Sequence, residues 1–478
     1  MPLILPGNVG SATAATGFDV DNSCRFNSGD SPVISRTLSD SEGKKFSFSV
    51  WLKRSKISYA NCGIFGAYSS GSDYDAIYFD ANDNLDWFFY GGSGTMGQLK
   101  TNRKFRDIGA WYHILCVYDS ANGTAGNRMR MYINGVEETS FATDTNPGQN
   151  TENNFNNNLL HVIGEFGNTG DNVHFGGYMS EVVFLDNVAA SPTDFGEFDS
   201  DSPTIWKPID VSGLTFGTNG FYLDFKASGN LGNDANGGTD WDETNLAATD
   251  QSIDTCTNNF ATMNVLQVDT ANWVFTEGNL HVAIPSSTNW KSVFSTFGVA
   301  NGKWYYEVKV SGNFAVGIAL MGGSADSHNY LNGSDSDGGG KTDVWRYRRN
   351  GASAYYSTGS SSTSITPVPA DNDIIGIAYN ADAGAIYSSI NGSWQNSATI
   401  AEIAAGTTTN ALFDDITTGV TFAIFGSTEN ADNLQFNFGS PIHSISSGNA
   451  DGNGYGSFEY AVPSNFYSIC TKNLAEYG

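Results

Sequence analysis

Short runs of alternating apolar and polar residues, separated by clusters of glycine, asparagine, aspartate and serine, recur through this chain of 478 residues. The alternation has a period of two at 46–52, 76–79 and 128–133, and the turn-rich clusters return about every 8–12 residues. Successive side chains of a strand point to opposite faces, so this pattern predicts strands, and helical periodicity is nearly absent. The expected fold class is all-β, with two tandem antiparallel β-sandwich domains.

Two Asn-Gly pairs, Asn134-Gly135 and Asn391-Gly392, stand between alternating runs. Asparagine and glycine tolerate the positive φ values that both central residues of a type I′ turn require. We therefore expect a tight β-hairpin at each pair.

Local composition divides the chain into five segments. An apolar start followed by small polar residues predicts an extended attachment arm, and a stretch that is poor in apolar periodicity predicts a connection with one strand. The segments are an arm at 1–22, a sandwich at 23–210, a connecting segment at 211–266, a second sandwich at 267–440 and a tail at 441–478.

Acidic residues outnumber basic ones, 50 to 23, which gives a formal net charge of −27. Neutralising phosphates requires clustered Lys and Arg, so nucleic acid is not an expected partner, and an anionic membrane surface is disfavoured for the same reason. No apolar run reaches the length of about 18 residues that a membrane-spanning helix needs. The five scattered cysteines include no CxxC pair, which indicates reduced thiols made in a cytoplasm.

Four motifs follow one another in the first sandwich segment, at 46–52, 111–118, 131–135 and 175–184. They read as a buried strand, a W-x-H strand, a Y-x-N-G hairpin and a closing G-x-M-x-E-V strand. In this order they resemble the concanavalin A-like, laminin-G-like family, which implies a jelly-roll sandwich.

The second sandwich segment contains a G-K-W-Y-Y-E-V strand at 302–308, a D-I-I-G-I-A-Y-N strand at 373–380 and a hairpin that ends at Asn391-Gly392. These motifs resemble a SPRY domain. Asn380 stands where the family pattern has aspartate, which is a mild departure.

Stretches outside the two sandwiches, at 219–225, 257–262 and 470–474, resemble tail-fibre or appendage proteins of marine bacteriophages. This resemblance implies a virion component that is assembled in the host cytoplasm, contacts other virion proteins, forms a homotrimer and adheres to host-surface glycan. One alternative is a capsid decoration or head fibre with a purely structural protein–protein role. A polysaccharide depolymerase is the less favoured alternative.

Known catalytic patterns are missing from the sequence, including HExxH, GxSxG, a Walker loop and a GxGxxG between strand and helix. Glucanases of the concanavalin A-like family need two carboxylates that flank the scissile bond. Glu197-Phe198-Asp199 has a similar spacing, but it follows the closing strand in an acidic stretch. We therefore expect a solvated loop there and no catalytic residue.

Loops rich in Asp and Asn supply the oxygen ligands that Ca²⁺ prefers, which makes Ca²⁺ the candidate cofactor. Pentraxin-like relatives of the first sandwich hold Ca²⁺ between a loop before an inner strand and a loop after an I-x-G-E strand. This resemblance maps a metal site onto Asp73, Asp75, Glu165 and Asp171. The alternative is that these residues belong to solvent-exposed turns.

Two aromatic clusters are candidate ligand contacts, because binding sites combine aromatic side chains with a few placed polar groups. The run 86–90 contributes Trp87, with core packing as the alternative. The run 343–350 is the basic cluster of an acidic chain, and its alternation places arginines on one face of a strand, toward an acidic glycan or an acidic neighbouring subunit. Its candidates are Trp345, Arg346, Tyr347 and Arg348; the alternative is an exposed strand whose arginines pair with local aspartates.

The apolar stretch Leu3-Ile4-Leu5 lies between two prolines and cannot bury itself in a complete sandwich. We expect it to attach the protein to another virion protein or to close a trimer, with a disordered terminus as the alternative.

The acidity of the chain also makes a prediction about adhesion. Long-range attraction cannot bring a chain of this charge to an anionic host surface. Binding to cells is therefore expected to require Ca²⁺ or Mg²⁺ and to strengthen at moderate salt.

Overall fold

The structure, a computed structural model, describes residues 17–59, 61–92, 94–166, 174–268, 273–284, 290–320, 343–358, 361–428 and 432–478. The chain forms two compact units, of which the first ends at Thr257 and the second begins at Asn258. Antiparallel sheets make up nearly all of the regular structure of both units. The expected all-β class, with tandem β-sandwiches, is confirmed.

The first unit contains eighteen strands within the described residues. They are β1 Ser23–Phe26, β2 Val33–Thr37, β3 Lys45–Arg54, β4 Cys62–Ser70, β5 Asp73–Phe79, β6 Asn84–Gly91, β7 Gly94–Lys104, β8 Trp111–Asp119, β9 Met129–Ile133, β10 Val136–Glu137, β11 Phe141–Thr145, β12 Leu160–Ile163, β13 Gly177–Asp186, β14 Gly196–Phe198, β15 Trp206–Pro208, β16 Phe221–Leu223, β17 Asp242–Thr244 and β18 Gln251–Ser252.

Two large sheets enclose the core of this unit. Sheet A has the order β10-β9-β8-β3-β13-β1-β18, with β16 paired to β13, and sheet B has the order β11-β7-β6-β5-β4-β12-β2-β17. Alternate residues of both sheets point into the space between them. Phe48 of β3 and Phe65 of β4, for example, stack with ring centroids 4.6 Å apart.

The residues after β13 cover the outer face of sheet A. Leu115 and Val183 of that face are buried together with Phe216, which lies in the segment predicted to be a connection. Further along, Lys53 of β3 and Asp254 form a buried ion pair at 2.7 Å, and Trp111 Nε1 donates to the same carboxylate at 3.1 Å.

The prediction of a connecting segment at 211–266 is therefore wrong up to Thr257, since these residues complete the first unit. Its periodicity is weak because the segment is anchored by single buried aromatic residues between turns, such as Phe225 and Trp241, and not by long alternating strands.

The second unit has the following strands and helices: β19 Met263–Val268, β20 Val274–Thr276, β21 His281–Ala283, β22 Lys291–Val299, β23 Lys303–Ser311, β24 Phe314–Leu320, β25 Val344–Asn350, β26 Ser353–Thr358, β27 Ser361–Ile365, β28 Ile374–Asn380, β29 Ala385–Ile390, β30 Ser393–Trp394, α1 Ile400–Ala405, β31 Phe422–Thr428, β32 Asn433–Asn437, β33 Tyr467–Ser468 and α2 Thr471–Tyr477.

Sheet C of this unit has the order β19-β22-β31-β24-β25-β26-β27, and sheet D has the order β20-β21-β32-β23-β28-β29-β30, with β33 paired to β23. The predicted tail at 441–478 is part of this sandwich. Phe458 packs on Tyr305 of sheet D, with centroids 5.0 Å apart, and the backbone N–H groups of Glu459 and Tyr460 both donate to the buried carboxylate of Glu307 at 2.9 Å. The tail thus covers the outer face of sheet D.

Both predicted hairpins are confirmed. Asn134 and Gly135 have φ values of 49° and 76° between β9 and β10, and Asn391 and Gly392 have values of 48° and 77° between β29 and β30. These are the left-handed conformations that a type I′ turn requires.

Candidate functional site

The strand β6 separates its side chains cleanly between the two faces of sheet B. Trp87 and Phe89 point into the core and are fully buried, whereas Phe88 and Tyr90 point outward. A ring that is buried between two sheets offers no surface on which a ligand can stack. The prediction of Trp87 as a ligand contact is corrected accordingly, and the half-buried Tyr90 on the outer face replaces it.

Aromatic side chains of β5 and β6 meet on this outer face. Phe88 lies edge-on to Tyr74 and to Tyr78, with ring centroids 5.4 and 5.7 Å apart, and Tyr90 lies 5.4 Å from Tyr74. Phe166, which follows β12, adds a ring 4.7 Å from Tyr78. We call these five residues the aromatic platform; Phe88 is 8% exposed, and the other four are half-buried.

The platform has its position because of strand register. Tyr74 pairs with Tyr90, and Ala76, the small residue between the two tyrosines of β5, pairs with Phe88. A residue without a long side chain at that position leaves room for the phenyl ring. The platform is thus built by one β-hairpin together with the residue that follows a third strand.

Polar side chains border the platform at the turn between β5 and β6. We call Asp80, Asp86, Gln98 and Lys100 the polar edge. The carboxylate of Asp86 accepts hydrogen bonds from Tyr78 Oη at 3.1 Å and from Gln98 Nε2 at 2.9 and 3.0 Å. Lys100 Nζ lies 2.5 Å from the Asp80 carboxylate and 3.7 Å from that of Asp86.

The two carboxyl groups of the polar edge titrate differently. Burial raises the pKa of Asp86 above its usual value despite the hydrogen bonds that it accepts. Burial also acts to raise the pKa of Asp80, but hydrogen bonds from Lys100 and from two backbone N–H groups outweigh it, so that the pKa lies below the usual value. Asp80 is therefore a firm anion that is paired with Lys100.

The predicted metal ligands are not assembled into one site. Asp75 of β5 pairs with Ala67, near the end of β4. Gly164 N donates to the carbonyl of Ile64 at 3.0 Å, which places Glu165 near the start of β4. Four residues of a strand span about 13 Å, so Glu165 is far from the two aspartates. Asp171 lies outside the described residues, and among the residues that are described no cluster of three or more His, Cys, Asp or Glu could hold a metal.

Asp75 has a structural role of its own. Its fully buried carboxyl accepts from the backbone N–H groups of Asn154 and Phe155 at 2.5 and 3.3 Å, while Asp73 accepts from the Asn154 amide at 2.7 Å. Burial raises the pKa of Asp75 to about 8, which those hydrogen bonds only partly oppose. These contacts hold the loop after β11 against the core and do not fit an ion that needs ionised, converging carboxylates.

The basic strand β25 has the predicted alternation. Trp345 and Tyr347 point into the core of the second unit, and Arg346 and Arg348 point to the other side of sheet C. Trp345 and Tyr347 are 8% and 1% exposed, so they are core residues and not ligand contacts. Arg346 is also buried, at 1% exposure, and of this set Arg348 alone is half-buried.

The surroundings of Arg348 are aromatic. Its guanidinium lies 5.3 Å from the ring centroid of Trp290 and 5.9 Å from that of Tyr355. The next residue, Arg349, forms an ion pair with Asp371 at 2.7 Å, which agrees with the alternative that arginines here pair with local aspartates.

Glu197 and Asp199 both pair with one lysine. Glu197 belongs to β14, and Lys207 of β15 lies within 3.3 and 3.5 Å of the two carboxylates. Asp199 also accepts from the backbone N–H groups of Asp201 and Ser202. The expected solvated loop is therefore a short, salt-bridged β-ribbon.

Leu3, Ile4 and Leu5, the predicted attachment residues, lie outside the described residues. The part of the predicted arm that is described, from residue 17, packs onto the first unit: Val20 is buried, and its N–H donates to Thr257 Oγ1 at 3.0 Å.

The sequence contains a signal for the aromatic platform in the alternation of two neighbouring strands. Tyr74-x-Ala76-x-Tyr78 and Asp86-x-Phe88-x-Tyr90 alternate on either side of a short turn, so a hairpin brings both outer faces together. Which of the two faces is the outer one follows from the core partners of Trp87, and these come from distant strands.

Comparison with known proteins identifies both sandwiches. A family model for the concanavalin A-like lectin/glucanases superfamily, of laminin G type, matches residues 27–193, and a SPRY domain model matches residues 303–441. The chain thus contains a concanavalin A-like laminin G domain followed by a SPRY domain, in the predicted order. No curated protein matches the chain.

Solved structures with similar folds include the SPRY domain of human HERC1, with 11% identity, a TM-score of 0.27 and coverage of 36% of this chain and 96% of that one. A putative carbohydrate-binding protein from Bacteroides ovatus has 15% identity and a TM-score of 0.32, with coverage of 48% and 59%. A SAP-like pentraxin from Limulus polyphemus has 17% identity and a TM-score of 0.27, with coverage of 37% and 81%. Neither helix of the described residues is long and apolar enough to span a membrane.

Proposed function

We propose that this chain, a concanavalin A-like laminin G domain followed by a SPRY domain, is a non-catalytic glycan-binding protein of a bacteriophage appendage. It acts as a tail fibre or spike component that adheres to host-surface glycan through the outer face of sheet B. The observation that supports the binding part is the aromatic platform next to the polar edge on the outer face of sheet B.

The two halves of this face fit the two kinds of surface that a sugar presents. A pyranose ring has apolar C–H faces, which pack on aromatic rings, and hydroxyl groups, which both donate and accept hydrogen bonds. Tyr74 and Tyr90 provide half-exposed rings for the first. Gln98 and Lys100, which are partly exposed, provide polar groups for the second.

The non-catalytic part rests on how the carboxylates of the first unit are engaged. Hydrolysis of a glycosidic bond needs one carboxylic acid and one carboxylate on either side of the bond, free to exchange protons with the substrate. On the platform face, Lys100 lies between Asp80 and Asp86, and on the β-ribbon Lys207 bridges Glu197 and Asp199.

The virion part of the proposal is supported by the resemblance of the segments around the two sandwiches to marine phage appendage proteins. In this proposal the protein is a virion component that contacts other virion proteins and forms a homotrimer. Native mass spectrometry of the purified chain tests the trimer, and a monomer would contradict it.

A glycan array tests the binding site. We expect the wild-type chain to bind a subset of host-surface glycans, and the double variant Tyr74→Ala, Tyr90→Ala to lose this binding. Phe198→Ala is the matched control, because it removes an exposed aromatic ring from the ribbon on the opposite side of the same unit. Equal loss in the control would contradict the assignment of the site.

The same preparations separate the alternatives. A chain that is incorporated into virions, binds no glycan and does not block adsorption would have a purely structural role, as a capsid decoration or head fibre does. Release of reducing sugar from a bound polysaccharide would identify a depolymerase and overturn the non-catalytic proposal.

A further inference from the structure

We propose that the polar edge makes the platform selective for uncharged glycans, and that sugars bearing carboxylate or sulfate groups are rejected. This inference rests on the glycan-binding function proposed above and adds the chemical class of the ligand. It also identifies Asp80 and Asp86 as the residues that determine specificity.

The polar edge carries more acidic than basic groups. Two of its residues, Asp80 and Asp86, are acidic, and one, Lys100, is basic. The side chains of Asp80 and Asp86 are only 8% and 2% exposed, so water screens them weakly, and an approaching anion meets net negative charge at short range.

The cation of this edge is already engaged. Lys100 Nζ contacts Asp80 at 2.5 Å and lies 3.7 Å from Asp86, and the side chain of Lys100 is 27% exposed. A ligand carboxylate or sulfate that pairs with Lys100 would lie next to the carboxylates of Asp80 and Asp86. The repulsion between these anions offsets the attraction to Lys100.

Hydrogen-bond chemistry points the same way. The oxygens of Asp86 are buried and already accept from Tyr78 and Gln98, so a ligand meets the edge at the more exposed Gln98 and Lys100. A sugar hydroxyl can accept a hydrogen bond from Lys100 without bringing a further anion next to Asp80 and Asp86. Neutral sugars therefore match the edge, and anionic sugars do not.

Matched oligosaccharide pairs test this selection. The probes are galactan oligosaccharides with and without sulfate, and glucan oligosaccharides with and without oxidation of C6 to the uronic acid. Calorimetry at low ionic strength is expected to give at least about ten-fold tighter binding to the neutral member of a pair, and the gap is expected to narrow as salt screens the repulsion.

Charge-neutral variants test whether Asp80 and Asp86 cause the difference in affinity between neutral and anionic sugars. Asp80→Asn, which can still accept from the N–H groups of Asn82 and Asn84, should raise affinity for the anionic member and so narrow the difference in affinity within a pair. Asp86→Asn is the second variant in case the first is unstable. Glu42→Gln removes the same charge from an exposed position outside sheet B and should leave the gap unchanged.

Each outcome is decisive. Equal or tighter binding of the anionic members by the wild-type chain would overturn the charge selection and leave the glycan-binding function in place. A gap that persists in both aspartate variants would show that the polar edge does not cause it. If the wild-type chain binds neither member of any pair or array glycan, the proposed function fails first.

Discussion

In β6 the aromatic side chains of Phe88 and Tyr90 lie on the outer face of sheet B, whereas in β25 those of Trp345 and Tyr347 lie in the core next to sheet C. Both strands alternate in the same way. In β6, the residues of the opposite face, Trp87 and Phe89, are also aromatic and fill the core. In the second, the intervening residues are arginines, which leaves the core to the aromatic residues.

Alternation along a strand therefore does not by itself define a binding surface. An aromatic ring is available to a ligand only where the other face of its strand already supplies the core. The outcome is two outer faces of unlike character: aromatic with a net acidic edge in the first unit, and arginine-bearing in the second.

The largest expected effect concerns the core face of β6. Trp87→Ala removes a fully buried ring from the first sandwich and should lower the free energy of unfolding of that unit by about 3–5 kcal/mol. Chemical denaturation followed by fluorescence measures this loss. A stable variant that loses only glycan binding would restore Trp87 as a ligand contact.

A pH effect follows from Asp75, whose pKa burial raises to about 8, so that the folded unit favours its neutral form. The unfolded chain ionises this group near pH 4, so stability falls as pH rises towards 8 and levels off above it. Buried His113 and His161, with pKa values lowered by burial to about 3 and about 4, cost stability only below about pH 6.5.

Two buried carboxyl groups of the first unit titrate between pH 6.5 and 8: Asp75, and Glu181, whose pKa burial raises to about 7. Asp75 makes the larger contribution because its pKa is shifted further. We expect the first unit to lose about 2 kcal/mol there, and Asp75→Asn to remove most of this slope. Thermal unfolding at each pH gives the measurement, with Glu42→Gln as the control. A rise in melting temperature on adding Ca²⁺, present in the wild type and absent in Asp75→Asn, would instead support a metal at Asp75.

A smaller effect is expected on the outer face of sheet B. Tyr90→Ala removes one half-buried platform ring and should weaken glycan binding by roughly 1 kcal/mol, about five-fold, with little loss of stability. Titration calorimetry with a glycan found on the array measures this. Unchanged affinity would remove Tyr90 from the site.

The smallest effect concerns the arginine-bearing face. Arg348→Ala removes the guanidinium that lies over Trp290 and Tyr355, which should cost about 0.5–1 kcal/mol of stability in the second unit and leave glycan binding unchanged. If this face contacts an acidic neighbouring subunit, the variant also assembles less well, which sedimentation detects. Loss of glycan binding would move the site to the second unit.

The strand-rich fold and the two hairpins follow from local sequence, because alternation and Asn-Gly turns act over a few residues. The order of the two domains follows from the resemblance of their strand motifs to known families. The packing of 211–257 and of the tail does not, since single anchors such as Trp241 and Phe458 find their partners only in the folded unit. The platform is an intermediate case: its residues are visible as alternation, but which face is outward depends on distant core partners.

The most direct test is a crystal structure of the chain with a neutral oligosaccharide that binds on the array. We predict sugar density over Tyr74 and Tyr90, with a hydroxyl within hydrogen-bond distance of Gln98 or Lys100. Sugar bound elsewhere, with the platform face empty, would contradict it.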